Sequence, residues 1–181
     1  MGRSVAVFCG SGLGTRPEYA QAARDVGRSL AARGVALVYG GGGKGMMGTL
    51  ADGALEAGGR VVGVIPHWMM EKEAAHPGVS EMRVVETMLE RKTVMAELAD
   101  AFLVLPGGLG TMDELFEVLT WSQLRLHGRS KPTGILNVAG FYDDLRRWLD
   151  RATRDGYIRE SSAGLPIIDD DAERLIDALL T

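Results

Sequence analysis

Short runs of β-branched and aromatic residues alternate along this chain with longer amphipathic segments, and that alternation restricts the fold more than any other feature. Residues 5–9, 35–39, 60–66, 83–86, 101–105 and 132–137 read as strands. Residues 18–33, 46–57, 89–99, 111–126 and 141–155 read as helices, and a last helix starts at Asp171. Strands joined by helical crossovers pair in parallel, with helices on both faces of the sheet. The expected architecture is a Rossmann-like α/β fold, a doubly wound parallel sheet of about seven strands. At 181 residues, one domain over 1–181 has enough chain to bury such a sheet.

Glycines fall into two groups within this pattern. Gly34, Gly58 and Gly59 follow helical segments, where a residue in the left-handed region ends a helix. The clusters 10–14, 40–48 and 107–110 instead follow strands and precede helices, the place where open parallel sheets bind ligands.

Composition removes several function classes. The 24 acidic and 20 basic residues give a net charge of −4, with no run of either sign that would track a nucleic acid backbone or coat a membrane. No apolar stretch reaches the roughly 18 residues needed to span a bilayer. The first strand begins within a few residues of Met1, so a cytoplasmic protein is expected. Cys9, the single cysteine, lies in an apolar run and reads as a core thiol. His67, His76 and His127 are scattered without metal-site spacing, and no metal or cofactor is expected. Asp169, Asp170 and Asp171 most simply cap the last helix. Leu115, Val118, Leu119 and Trp121 have helical spacing and read as core or subunit interface.

The loop GGGGKGMMG (40–48) meets G-x-G-x-x-G twice, from Gly40 and from Gly43, after a strand and before a helix. The dinucleotide fingerprint also needs an acid ending the next strand, and VVGVIP (61–66) has none. Nor is the loop a Walker A sequence, because Gly45 follows Lys44 where Ser or Thr belongs. Close approach to a ligand and tight packing both stay open for it. The loop PGGLGTMDE (106–114) is more specific. It places the backbone N–H groups of Gly108 to Thr111 at a helix N-terminus suited to a phosphate, with Glu114 on the same side one turn on. A capping box, Thr111 capping the helix and Glu114 folding back onto the backbone, fits the same residues.

PGGLGTMDE also fits the PGGxGTxxE motif of the Lonely Guy family, the cytokinin riboside 5′-monophosphate phosphoribohydrolases. FCGSGLG (8–14), YGGGGKGMMG (39–48), GVIP (63–66), ERK (90–92) and ELFEVLTWSQL (114–124) are similar to that family in the same order. The resemblance implies hydrolysis of the N-glycosidic bond of adenosine 5′-monophosphates, plain or N6-substituted. The products are a free base and ribose 5-phosphate.

It implies Arg91 and Glu114 as the catalytic pair, and substrate contacts from Glu73, Arg91, Lys92, Gly108, Leu109, Gly110, Thr111, Met112, Asp113, Glu114 and Thr120. Residues 74–78, next to Glu73, are the least family-like stretch. Thr120 lies six positions after Glu114 and points about a third of a turn away from it. The resemblance also implies a homodimer with the site near the subunit boundary. Cleavage of such a bond needs a held phosphate and stabilisation of an electron-poor ribosyl carbon, which a nearby carboxylate supplies.

Alternative functions are AMP hydrolysis in purine salvage and non-catalytic nucleotide binding. Proteins with this motif also carry a lysine decarboxylase label, which would need pyridoxal phosphate on a lysine; Lys44, Lys72, Lys92 and Lys131 have no setting that specifies it.

Overall fold

The computed structural model describes residues 2–124, 126, 131–158 and 166–181. Its strands are β1 (Ser4–Phe8), β2 (Ala36–Tyr39), β3 (Val61–Pro66), β4 (Glu81–Val85), β5 (Ala101–Val104), β6 (Thr133–Leu136) and β7 (Ile167–Asp169). The helices are α1 (Pro17–Ala32), α2 (Gly45–Glu56), α3 (Met88–Leu98), α4 (Leu109–Leu124), α5 (Asp143–Arg154) and α6 (Ala172–Leu180). All seven strands form one parallel sheet in the order β4-β3-β2-β1-β5-β6-β7. The chain therefore starts in the middle, winds out to one edge, returns to the centre and winds out to the other.

Each strand divides its side chains between two cores because successive residues point to opposite faces. In β1, Val5 and Val7 join the core under α1, α2 and α6, whereas Ala6 and Phe8 join the core under α3 and α4. Leu115, Val118 and Leu119 of α4 are buried in that second core, and Trp121 packs against it from a half-buried position. The helical stripe is thus core for its first three members.

Local signals account for the element ends. Pro17 opens α1 at the first helical position, one residue before the expected start. Thr87 caps α3 by accepting the Glu90 N–H at 3.1 Å. Asp171 caps α6 through the Arg174 N–H at 2.9 Å, as expected of the aspartate run. Gly34 and Gly58 adopt φ of +65° and +74° after α1 and α2. Gly59 does something else: a Cβ there would lie 2.6 Å from the Ala31 side chain, so it permits α1 to sit close.

Two differences from the sequence reading stand out. β7 has three residues, too few for its alternation to register, and its pairing with β6 is what makes it a strand. α4 begins at Leu109, two residues before Thr111, because the glycine-rich loop turns directly into helix.

Helices α1 and α2 approach at Gly27 and Gly53. A Cβ on Gly27 would land on the Leu50 carbonyl oxygen, and one on Gly53 on the Arg24 carbonyl oxygen. Helix propensity by itself favours Gly27→Ala by about 1 kcal/mol, while forcing a packed contact apart costs about 1–3 kcal/mol. Steric overlap with backbone should win, so Gly27→Ala lowers the urea midpoint; an unchanged or higher midpoint would mean that the two helices separate freely.

Candidate functional site

Neighbours of β1 lie on opposite sides of the winding, β2 going one way and β5 the other. At such a reversal the loops leaving adjacent strands diverge and open a crevice at their carboxyl ends. A pocket of about 290 Å³ occupies it, walled by the end of β1 and the residues after it, Gly40, Met47 of α2, Met69, Glu73, α3, and Gly108 with the start of α4. The Gly10 N–H donates to the Pro106 carbonyl at 3.0 Å and ties the two central loops together.

Arg91 enters this pocket from α3 and is only 5% exposed, so it is a buried cation and not a solvated one. Its Nε donates to the Val64 carbonyl at 3.0 Å and its Nη2 to the Gly40 carbonyl at 2.7 Å. Among the described residues no carboxylate lies within 4 Å of it, so a carbonyl of β3 and one just after β2 hold the charge through their dipoles. This contact explains much of the second glycine loop. A Cβ on Gly40 would occupy the place of the Arg91 guanidinium, and one on Gly43 or Gly45 would strike the Ala74 or Ser11 carbonyl oxygen. These glycines serve close protein packing, at Gly40 against the buried arginine and at Gly43 and Gly45 against neighbouring backbone.

The loop before α4 decides the second alternative left open by the sequence. Thr111 is the third residue of α4 and is buried, with its side chain against Gly107. It therefore does not cap the helix, and the capping-box reading fails because the helix starts earlier than that motif requires. The first intrahelical donor is the Met112 N–H, to Gly108 O at 3.1 Å. The amides of Leu109, Gly110 and Thr111 precede it, and all three residues line the pocket.

Glu114 follows one turn deeper on the same wall. Burial pushes its carboxyl up from the ordinary value to about 7; Arg91 and Lys92 work against that rise, while Asp113 and Glu117 add to it. The site thus holds a carboxyl group that titrates near neutrality beside a fixed guanidinium.

Glu73 reaches the pocket through backbone pairing. The Gly43 N–H donates to Ala74 O at 2.7 Å and the His76 N–H to Gly41 O at 3.0 Å, laying the 73–76 segment along the glycine loop. His76 is itself braced against Asp52, Nε2 to Oδ1 at 3.1 Å.

Of the residues named from the sequence, Glu73, Arg91, Gly108, Leu109, Gly110, Thr111, Asp113 and Glu114 come together in the pocket lining. Lys92 does not; its Nζ pairs with Asp113 at 3.0 Å and Glu117 at 2.8 Å, joining α3 to α4. Met112 packs against the core, and Thr120 is exposed with its hydroxyl on the Phe116 carbonyl at 2.7 Å.

Sequence reasoning missed Met47, Met69, Met88 and Met95, which also line the pocket. Methionine at helical spacing signals core, and nothing local distinguishes a pocket wall from a core wall. Cys9 is both, being buried and lining the pocket. His127 lies outside the described residues, among which no three His, Cys, Asp or Glu side chains group closely enough to hold a metal ion.

The raised Glu114 titration has a consequence for stability. In the unfolded chain the group loses its proton near 4.5, in the folded chain near 7. Below 4.5 both states are protonated and nothing is lost. Between those values the unfolded state ionises first, so stability falls as pH rises, by at most about 3 kcal/mol above pH 7. Glu114→Gln should therefore raise the melting temperature more at pH 8 than at pH 4; a gain that does not grow with pH would refute the shift.

Comparison with known proteins gives this arrangement a family. The family model described as possible lysine decarboxylase matches residues 47–179. A probable cytokinin riboside 5′-monophosphate phosphoribohydrolase of Oryza sativa subsp. japonica is 48% identical over 177 residues, 98% of this chain and 77% of that protein. A cytokinin riboside 5′-monophosphate phosphoribohydrolase of Rhodococcoides fascians is 47% identical over 178 residues, 98% of this chain and 89% of that one. The molybdenum cofactor carrier protein from Chlamydomonas reinhardtii has the same fold, with a TM-score of 0.73 at 22% identity over 99% of both chains. Two relatives of this similarity, together with a family model covering most of the chain, place the protein in the Lonely Guy family.

Proposed function

We propose that this protein hydrolyses the N-glycosidic bond of adenosine 5′-monophosphates, including N6-substituted ones, to the free base and ribose 5-phosphate. The observation that carries the reading is the meeting of three groups in one crevice: the buried Arg91 guanidinium, the Glu114 carboxyl and the free amides opening α4. The phosphate belongs at those amides, where the helix dipole and unsatisfied N–H groups favour an anion. With the phosphate there, the ribose lies toward Glu114, one turn along the helix.

Water attacks C1′ as the bond to the base nitrogen breaks, and positive charge develops on the ribosyl ring in between. Ionised Glu114 stabilises that charge and accepts the proton of the attacking water. The departing base takes up a proton in turn, so the reaction consumes one water and needs no cofactor. Arg91, fixed by two backbone carbonyls, offers its remaining N–H groups to the substrate. Glu73 contributes a further acceptor at the rim.

Two rival readings are less well supported. A carboxyl whose titration is moved toward neutrality inside the pocket favours catalysis over simple binding. A pyridoxal-dependent decarboxylase needs a lysine in the pocket, and none of the four borders it. Lys92 is paired with two carboxylates, Lys131 donates to the Ala96 and Ala99 carbonyls, and Lys44 and Lys72 are exposed.

The same reading includes a homodimer. Leu109, Phe116 and Leu124 leave an exposed apolar stripe along α4, with Thr120 on it, and Leu109 joins that stripe to the pocket. We place the enzyme in the cytoplasm; no helix among the described residues is long and apolar enough to cross a membrane.

Chromatography after incubation with AMP, isopentenyladenosine 5′-monophosphate and the unphosphorylated nucleosides tests the activity. Free base should come from the monophosphates alone, and release from none of them would remove the enzymatic reading. Glu114→Gln should keep nucleotide affinity and lose at least about a hundredfold in kcat. Because the carboxylate is the active form, kcat/KM should rise with pH through about 7, and a flat profile from pH 5 to 8 would exclude Glu114 as the base. Light scattering at micromolar concentration should give a dimer that Phe116→Glu dissociates; a wild-type monomer would remove the stripe as an interface.

A further inference from the structure

Arg91 is satisfied unevenly. Nε and Nη2 each donate to a backbone carbonyl, at 3.0 and 2.7 Å. Among the described residues Nη1 has only sulfur for company: Met88 Sδ at 3.9 Å and Met69 Sδ at 4.0 Å. A thioether is a weak acceptor, so a buried guanidinium donor facing two of them retains most of its hydrogen-bonding capacity. Met69 and Met88 both line the pocket, as does Arg91, and they come from different elements, the turn after β3 and the first residue of α3. Nothing in helix or turn formation requires methionine at either place.

We propose that Met69 and Met88 are positioning residues for Arg91, which fill the space beside Nη1 with weak acceptors and so leave its N–H groups for the substrate. The inference rests on the hydrolase reading given above. An oxygen acceptor at either position would bind Nη1 in the resting protein, and the substrate would have to displace it. A donor already satisfied in the ground state adds little in the transition state, since only interactions that strengthen along the reaction accelerate it.

The same argument makes the pair sensitive to peroxide. A hydroperoxide transfers one oxygen to the thioether, giving the sulfoxide and the corresponding water or alcohol. The S=O oxygen is a strong acceptor placed beside Nη1, equivalent in effect to a glutamine amide. Met88 is half-buried at the pocket wall and is the more accessible of the two, Met69 being 9% exposed.

The test compares Met88→Leu with Met88→Gln in steady-state hydrolysis of AMP and isopentenyladenosine 5′-monophosphate. Leucine keeps the volume and offers no acceptor, so its kcat should exceed that of the glutamine variant by at least about tenfold. Glutamine should lower kcat by at least about tenfold while KM changes less than threefold. Equal losses in both variants would reduce Met88 to packing, and a glutamine variant with wild-type kcat would overturn the proposal.

Where Met88→Gln does not fold, peroxide treatment of wild-type protein and Met88→Leu replaces it. Turnover in wild type should fall in step with sulfoxide at Met88 by mass spectrometry, return with methionine sulfoxide reductase, and persist in Met88→Leu. Loss of turnover at the same rate in both proteins would refute the assignment. Absence of turnover in untreated wild type removes the hydrolase reading and this one with it, whereas wild-type turnover indifferent to residue 88 removes only this one.

Discussion

A guanidinium buried at the end of a parallel sheet, with carbonyls and, among the described residues, no carboxylate as its direct partners, is the constraint around which the rest of the site is built. Removing such a charge from water is costly, and the cost is tolerable only where strong dipoles face it. Val64 O and Gly40 O supply those dipoles because each comes just past the last residues that pair between β2 and β3, Tyr39 and Gly63, where the two adjacent strands reach the same crevice. Position 40 must then be glycine, since any side chain would stand where the guanidinium does. The backbone of the 40–45 loop is drawn close in turn to Ala74 and Ser11, and the 73–76 segment carrying Glu73 is laid beside it.

The charge at Arg91 also sets the electrostatics of Glu114. Burial is the largest influence driving that carboxyl upward, and the guanidinium is the largest pulling it back. The balance falls near neutrality, where a carboxyl can exchange a proton at ordinary pH. Lys92, next in sequence, is outside the pocket lining and binds α3 to α4 through Asp113 and Glu117. Two consecutive cations on one helix are thus divided between the pocket and the interhelical seam, about 100° apart around the helix.

Close packing carries the remaining geometry. Gly107 allows Thr111 to fold against the loop before α4, so the helix can begin at Leu109 and present its first amides to the pocket. Gly27 and Gly53 allow α1 and α2 to touch backbone to backbone on the opposite face of the sheet. Each of these glycines is conformationally unfavourable or neutral in its own segment, and is explained only by what lies across from it.

The sequence by itself determined the parallel sheet, the alternation of its two faces, the position of the crevice and the loop that ends in Glu114. These follow from periodicities within a few residues and from the rule that ligands sit where strands end. Family likeness added Arg91 and Glu73, which local chemistry does not single out. Tertiary structure alone decided that Arg91 is buried, that Thr111 is no cap, that Lys92 and Thr120 fall outside the pocket lining, and that Met69 and Met88 border the guanidinium. It also decided that a three-residue run pairs as β7. The physical reason is common to all of them: burial, dielectric and hydrogen-bond partnership depend on residues distant in the chain, and a linear pattern records a residue's own preference without recording what packs against it.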